Sequence, residues 1–327
     1  MGIELKNPII ASSSTLTDNV KGIEELERAG VSTVVLRSIF EEEITLEMES
    51  EIKAAIKEGY DESLFDYYDA KIKHDNISGY IKLINDAKNA VDIPVIASIN
   101  CVSNHEWTYF TQKIEEAGAD ALELNMFLLP SDDKKTCEEQ EKLYFDIIEK
   151  VLNTINIPVT LKISSYFSDL ARMIERLSET GVKGLVLFNK FFAPDFDIEN
   201  EKVISSYVLS NPQDIVTPLR WIAIMSDRVN VDLIASTGVH NGEGLIKQLL
   251  AGAKGVQIAS TLYRNGMEIV ENMLQDLEAW MNRKGYEKLD DFRGKLSYAK
   301  SVDPAIYTRM QFMKYFGGCV KIVTSNT

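Results

Sequence analysis

The sequence predicts an α/β fold, a (β/α)8 TIM barrel with an acidic insertion after its second strand and a C-terminal tail. Three observations carry that expectation. First, "AGVSTVVLRS" (29–38), "AGADALELNM" (117–126), "TGVKGLVLFN" (180–189) and "AGAKGVQIAS" (251–260) share one form: a helix stops at Gly, the chain turns, and a buried strand follows. Gly suits that stop because it enters the left-handed region without a Cβ clash. Second, another strand form alternates with the first: "DIPVIASIN" (92–100), "NIPVTLKIS" (156–164) and "NVDLIAST" (230–237). Third, adding "NPIIASS" (7–13) gives eight strands, each followed by a helical segment. Strict alternation over this length means a parallel sheet, closed as a barrel or open and doubly wound. The count of eight and the two-unit quasi-repeat favour the barrel, and no strand-to-helix G-x-G-x-x-G supports a dinucleotide fold.

The strands are short apolar runs, as parallel strands covered on both faces require. Between them, "HEWTYFTQKIEEAG" (105–118), "SDLARMIERLSETG" (168–181) and "GEGLIKQLLAGA" (242–253) repeat apolar residues at three and four positions, the pattern of helices with one face on a core. The last helix is expected over "MEIVENMLQDLEAWMNRKG" (267–285). Residues 39–75 form the acidic insertion, helical at first, and serve either as a solvated helix with some oligomer contact or as a wall over the barrel mouth. A single barrel domain is expected over 1–299, and a tail over 300–327 that is helix-like at its start and loose at its end.

Composition narrows the function classes. The chain has 327 residues, 45% hydrophobic and 26% charged, an ordinary globular balance. A net charge of −15 argues against nucleic-acid or anionic-membrane binding, because neutralising phosphates needs clustered Lys and Arg. Cys101, Cys137 and Cys319 are too scattered for a disulfide framework or zinc site, and His74, His105 and His240 lack ligand spacing. "MGIELKNPII" has no basic segment followed by a long apolar run, and no stretch reaches the length of a membrane helix. A cytoplasmic protein with reduced thiols and no bound metal is expected.

In such barrels the C-terminal ends of the strands face the active site. Those positions hold Ser12 and Ser13, Arg37 and Ser38, Asn100 and Cys101, Asn125, Lys162 and Ser164, Asn189 and Lys190, Thr237, and Ser260 and Thr261. Lys162, flanked by apolar residues in "PVTLKIS", is expected to point into the barrel, since lysine is seldom buried without a partner. "STGVHNGEGLIKQ" (236–248) and "IASTLYRNG" (258–266) each lead into a helix N-terminus, with small residues leaving backbone N–H groups open. That corner suits a phosphate, whether of flavin mononucleotide, a sugar phosphate or pyridoxal phosphate.

At these residues the chain resembles the dihydroorotate dehydrogenase family of FMN-dependent barrels. The likeness is densest over "VDLIASTGVHNGEGLIKQLLAGAKGVQIASTLYRNG" (231–266) and "LEAWMNRKGYEKLDDFRGKL" (277–296), and colinear from "NPIIASSS" through "VVLRS", "ELN", "LKIS" and "LVLFN". The resemblance implies FMN as cofactor, with Ser12 and Ser13 along the flavin edge, Ser38 near the ring, and Arg37 where the family usually has Lys. It implies that Asn125 hydrogen-bonds flavin or substrate and that Lys162 lies near flavin N1 and O2, where a fixed positive charge stabilises reduced flavin. Asn189, with Lys190 and Arg37, would reach the substrate, and Thr237, Gly238, Ala259 and Ser260 would hold the phosphate. Hydride would pass from a small planar substrate, dihydroorotate by this likeness, to flavin N5. A homodimer is expected, and since no Cys cluster could hold an iron–sulfur centre the electron acceptor is either a small soluble oxidant or a partner protein.

One departure stands out. Three residues after the "ELN" Asn the family has a Cys or Ser general base, and here that position is Leu128, followed by Leu129-Pro130-Ser131. The family's substrate loop has no clear counterpart; the nearest stretch is "HDNISGY" (74–80), with Asn76 and Ser78. Three readings follow: Ser131 or Cys137 folds back as the base, Cys101 serves from another side, or the flavin is kept and the substrate has changed. Two rivals remain, a flavin-free phosphate-binding isomerase or lyase and a flavin-binding subunit without catalysis.

Overall fold

The computed structural model describes residues 1–40, 65–100, 107–190, 193–206 and 208–308. Most of the acidic insertion (41–64), Cys101 and the end of the tail (309–327) lie outside the described residues.

All eight expected strands form. They are β1 (Ile9–Ala11), β2 (Thr33–Val35), β4 (Val95–Asn100), β5 (Ala121–Met126), β6 (Val159–Ile163), β7 (Gly184–Leu187), β10 (Asp232–Ser236) and β11 (Gly255–Ile258). Every neighbouring pair is parallel, and β11 pairs with β1 to close the ring. Helices α1 (Val20–Ala29), α2 (Phe65–Ala90), α3 (Trp107–Glu116), α4 (Cys137–Leu152), α5 (Leu170–Ser178), α6 (Val216–Met225) and α7 (Gly242–Ala251) connect them. After β11 come α8 (Ser260–Asn265) and α9 (Ile269–Lys284). The glycines of the four matching segments, Gly30, Gly118, Gly181 and Gly252, have φ of +100°, +87°, +105° and +118°, so the repeat in the sequence is a repeated left-handed helix stop.

The barrel strands alternate after all. On β5, Leu122, Leu124 and Met126 join the apolar layer between sheet and helices, while Ala121, Glu123 and Asn125 take the other parity. Ile10, Val35, Ile96, Ala121, Val186 and Ile234 form a separate apolar cluster inside the barrel, with Met1 packed among them. Two residues further along their strands stand Ser12, Ser98 and Glu123, all buried. The interior thus passes from an apolar layer to a polar one towards the strand C-termini.

Three departures from the simple rhythm matter. The second barrel strand is interrupted: Val35 faces Ile96 and a short β3 (Ile39–Phe40) resumes with Ile39 opposite Ile99, so 36–38 holds one more residue than its partner. Such a bulge leaves ladder groups unpaired. Tyr80 fills the gap, donating to Ser98 O at 3.1 Å and accepting from Ser98 N at 2.8 Å. Stretch 74–80, the nearest in sequence to the family's substrate loop, lies within α2. A hairpin of β8 (Ala193–Asp197) and β9 (Lys202–Ser206), unannounced by the repeats, is inserted between β7 and α6. The start of the tail is short helix α10 (Ala305–Thr308), with Tyr307 Oη donating to Leu296 O at 2.6 Å.

Candidate active site

The polar layer assembles from strands far apart in the chain. Lys162 on β6 is 5% exposed, and its Nζ donates to Ser12 Oγ, just past β1, and to Gln257 Oε1 on β11, both at 3.0 Å. Gln257 Nε2 in turn donates to Glu123 Oε2 on β5. Glu123 is fully buried, and its Oε1 lies 3.8 Å from the Lys162 ammonium. The lysine therefore points inward, as the apolar flanks of "PVTLKIS" predict, and it is paired. Glu123 and Gln257 sit inside runs that look apolar as a whole; alternation in "ALELNM" and "GVQI" is the signal that finds them.

A polar cavity of about 180 Å³ opens above this cluster at the strand C-termini. Ser12, Ser13, Lys162, Asn189 and Lys190 line one part of it, and Thr237, Gly238, Ala259 and Ser260 line the corner where β10 and β11 end. Asn125 is not in the lining but accepts from Asn189 Nδ2 through its Oδ1 at 2.8 Å, and Asn100 stands beside it in register. Ser38 joins through its hydroxyl, 3.1 Å from Ser13 Oγ and 2.7 Å from Ser98 Oγ. Arg37 is exposed outside the lining, at the bulge, where its N–H donates to Thr17 O.

The phosphate-type corner is shaped by backbone. Thr237 and Gly238 both take left-handed φ, +78° and +83°. Thr237 Oγ1 donates to Phe188 O at 3.1 Å, which pins this unusual conformation. Gly238 lies so close to segment Asp214–Ile215 that a Cβ there would sit 2.1 Å from Ile215 N. That segment covers the corner: Ser210 N donates to Ser260 Oγ at 2.9 Å, and Lys190 Nζ donates to Asp214 Oδ2 at 3.0 Å. Burial pushes the Asp214 carboxyl up, but the Asn211 N–H and the Lys190 ammonium outweigh it and hold it below its ordinary value. His240 Nε2 meets Ser210 Oγ at 3.0 Å, and burial, aided by Arg264, lowers its pKa.

The donors fit an FMN-like group. A buried ammonium, serine hydroxyls and a corner of open backbone ahead of α7 offer donors to ring carbonyls and a phosphate. Asn100 Oδ1 is buried with no hydrogen-bond partner among the described residues, an acceptor left for a ligand.

The base candidates lie elsewhere. Leu128 packs against the sheet–helix core and, with Cys137, lines a different groove of about 730 Å³ between the β5–α4 loop, α4 and residues 165–168. Ser131 is exposed and lines neither cavity. The larger groove is the weaker candidate site, because its lining is mostly apolar with charged side chains exposed at the surface. Neither Ser131 nor Cys137 reaches the polar cavity.

Comparison with known proteins identifies the family. The family profile described as Dihydroorotate dehydrogenase matches residues 1–281. A dihydroorotate dehydrogenase B (NAD(+)) catalytic subunit from Thermoplasma volcanium is 27% identical over 304 residues, 90% of this chain and 95% of its own. Proteins of the same description from Petrotoga mobilis and Methanothermobacter thermautotrophicus are 25% and 22% identical, covering 90% and 89% of this chain and 96% and 95% of their own. The chain belongs to the dihydroorotate dehydrogenase family.

Proposed function

We propose that this chain binds FMN at the mouth of the barrel and oxidises a small planar substrate, dihydroorotate by family likeness, in a hydride transfer. The carrying observation is Lys162, a buried ammonium held at the polar cavity by Ser12 and Gln257. Bound FMN supplies the two-electron acceptor for hydride from a CH–CH group. Lys162 then offers a fixed positive charge where reduction places negative charge, and the buried setting strengthens it. The Asn125–Asn189 pair holds two amides in fixed relation, and the donors that this bond leaves over orient a planar substrate with carbonyl or carboxylate acceptors. Ser12, Ser13 and Ser38 line the ring edge, Arg37 stands near the rim for the substrate, and Lys190 is steadied by Asp214. Thr237, Gly238, Ala259 and Ser260 take the phosphate.

The substrate proton has no ionisable acceptor at Leu128, and this favours a changed substrate over a base recruited from Ser131 or Cys137. A flavin-binding subunit without catalysis rests on the same residue. Association of two copies and work in the cytoplasm with a soluble electron acceptor belong to this proposal. Among the described residues no helix is long and apolar enough to cross a membrane.

Anaerobic titration of the flavin-loaded protein with dihydroorotate, followed by visible spectrum, tests the reading. Stoichiometric bleaching is expected if dihydroorotate is the donor. A yellow protein that stays yellow keeps the flavin site and rejects that substrate. A protein that takes up no FMN overturns the proposal.

A further inference from the structure

The Glu123–Gln257 pair carries an inference about Lys162 that rests on the flavin reading above. Glu123 is fully buried, its Oε2 takes one hydrogen bond, from Gln257, and its Oε1 has none. A buried carboxylate so sparsely satisfied is costly, and an apolar side chain would fill the barrel interior more cheaply. Its position explains its presence. Oε1 lies 3.8 Å from Lys162 Nζ, so the carboxylate sits against the one cation of this cluster. Gln257 fixes the spacing, because its amide cannot turn over: Nε2 faces the carboxylate, while Oε1 receives the ammonium at 3.0 Å and Ser12 Oγ at 3.1 Å.

We propose that Glu123 and Gln257 are positioning residues that set the place and the effective charge of Lys162. Glu123 offsets part of the ammonium's field at the cofactor and so restrains how strongly reduced flavin is favoured. Gln257 acts as a spacer that keeps the ammonium from closing onto the carboxylate and withdrawing from the cavity.

The two roles predict shifts of opposite sign. Glu123→Gln keeps the shape and removes the negative charge, which leaves Lys162 uncompensated. The equilibrium between oxidised and reduced flavin is expected to move about tenfold towards reduced, a rise of about 30 mV for a two-electron couple. Gln257→Met removes the spacer, lets the ion pair close, and is expected to lower the midpoint potential and weaken FMN binding about tenfold. Both are read on the FMN-loaded protein by anaerobic dye-coupled reduction, with the FMN dissociation constant measured on the apoprotein by flavin fluorescence. Should Glu123→Gln fail to fold, Gln257→Met alone carries the test. An unchanged potential in a folded, flavin-loaded Glu123→Gln variant, or unchanged potential and affinity in Gln257→Met, would overturn the assignment. Failure of the wild-type protein to bind FMN would instead overturn the flavin reading beneath it.

Discussion

At the scale of single residues, the β10–β11 corner depends on a glycine whose role can be separated from its conformation. Gly238 and Gly285 have similar left-handed φ, +83° and +73°, but different surroundings. A Cβ at Gly238 would meet backbone atoms of Asp214 and Ile215, whereas one at Gly285 would meet nothing within 4 Å. Gly285→Ala should therefore cost only the left-handed penalty, about 1–2 kcal/mol. Gly238→Ala should add overpacking against atoms that cannot rotate away, for a total of about 2–5 kcal/mol. Thermal melts of the two variants check this, and equal losses would mean that the covering segment simply moves aside. His240 gives a pH dependence with a definite sign. Its folded pKa is depressed below the ordinary 6.5, so the unfolded chain binds the proton more readily. Its contribution is complete above about pH 6.5 and is lost as pH falls through the folded value. His240→Gln should narrow the difference in melting temperature between about pH 7.5 and pH 5.5. A difference equal to that of the wild type would remove His240 from the account.

At the scale of elements, four of the eight strands were legible because a helix-stopping glycine stands three residues before each, and the others because apolar runs alternate with them along the chain. Strand ends gave Lys162, Asn125 and the β10–β11 corner for the same reason: a polar residue breaking an apolar run has few other places to go. Glu123 and Gln257 escaped because short parallel strands look uniformly apolar until their parity is known from the fold. The β8–β9 hairpin escaped because its pattern is local and its apolar side chains face outward. Phe196 and Val203 are paired across it and are 68% and 70% exposed, with Ile198 at 81%. An isolated two-stranded ribbon gains little stability of its own, so an exposed apolar face on one is more naturally a contact surface. If two copies associate as proposed above, this face is the surface to test first. Phe196→Asp should shift sedimentation from dimer to monomer and change stability of the barrel by no more than about 0.5 kcal/mol, as for other exposed positions. A dimer that survives the substitution would place the interface elsewhere.

At the scale of the whole molecule, the candidate site has no local origin. Ser12, just past β1, and Gln257 on β11, both joined to Lys162, stand where the ring closes between the first and last units, and the β10–β11 corner lies beside them. A ligand seated there contacts β1, β6, β10 and β11 together, so binding is linked to the closed barrel and not to one loop. Ligand at a hundredfold excess over its dissociation constant adds about 2.7 kcal/mol to folding stability. FMN should thus raise the single melting transition by several degrees. Riboflavin keeps the ring and lacks the phosphate, so its shift should be smaller. The two halves of the site can then be separated by substitution. Lys162→Ala removes a ring contact and should reduce the shifts given by both ligands. Ser260→Ala, at the β11 corner, should reduce the FMN shift and leave the riboflavin shift as it was. Equal shifts from FMN and riboflavin in the wild-type protein would mean that the corner holds no phosphate, and the orientation assigned to the cofactor would fall with it.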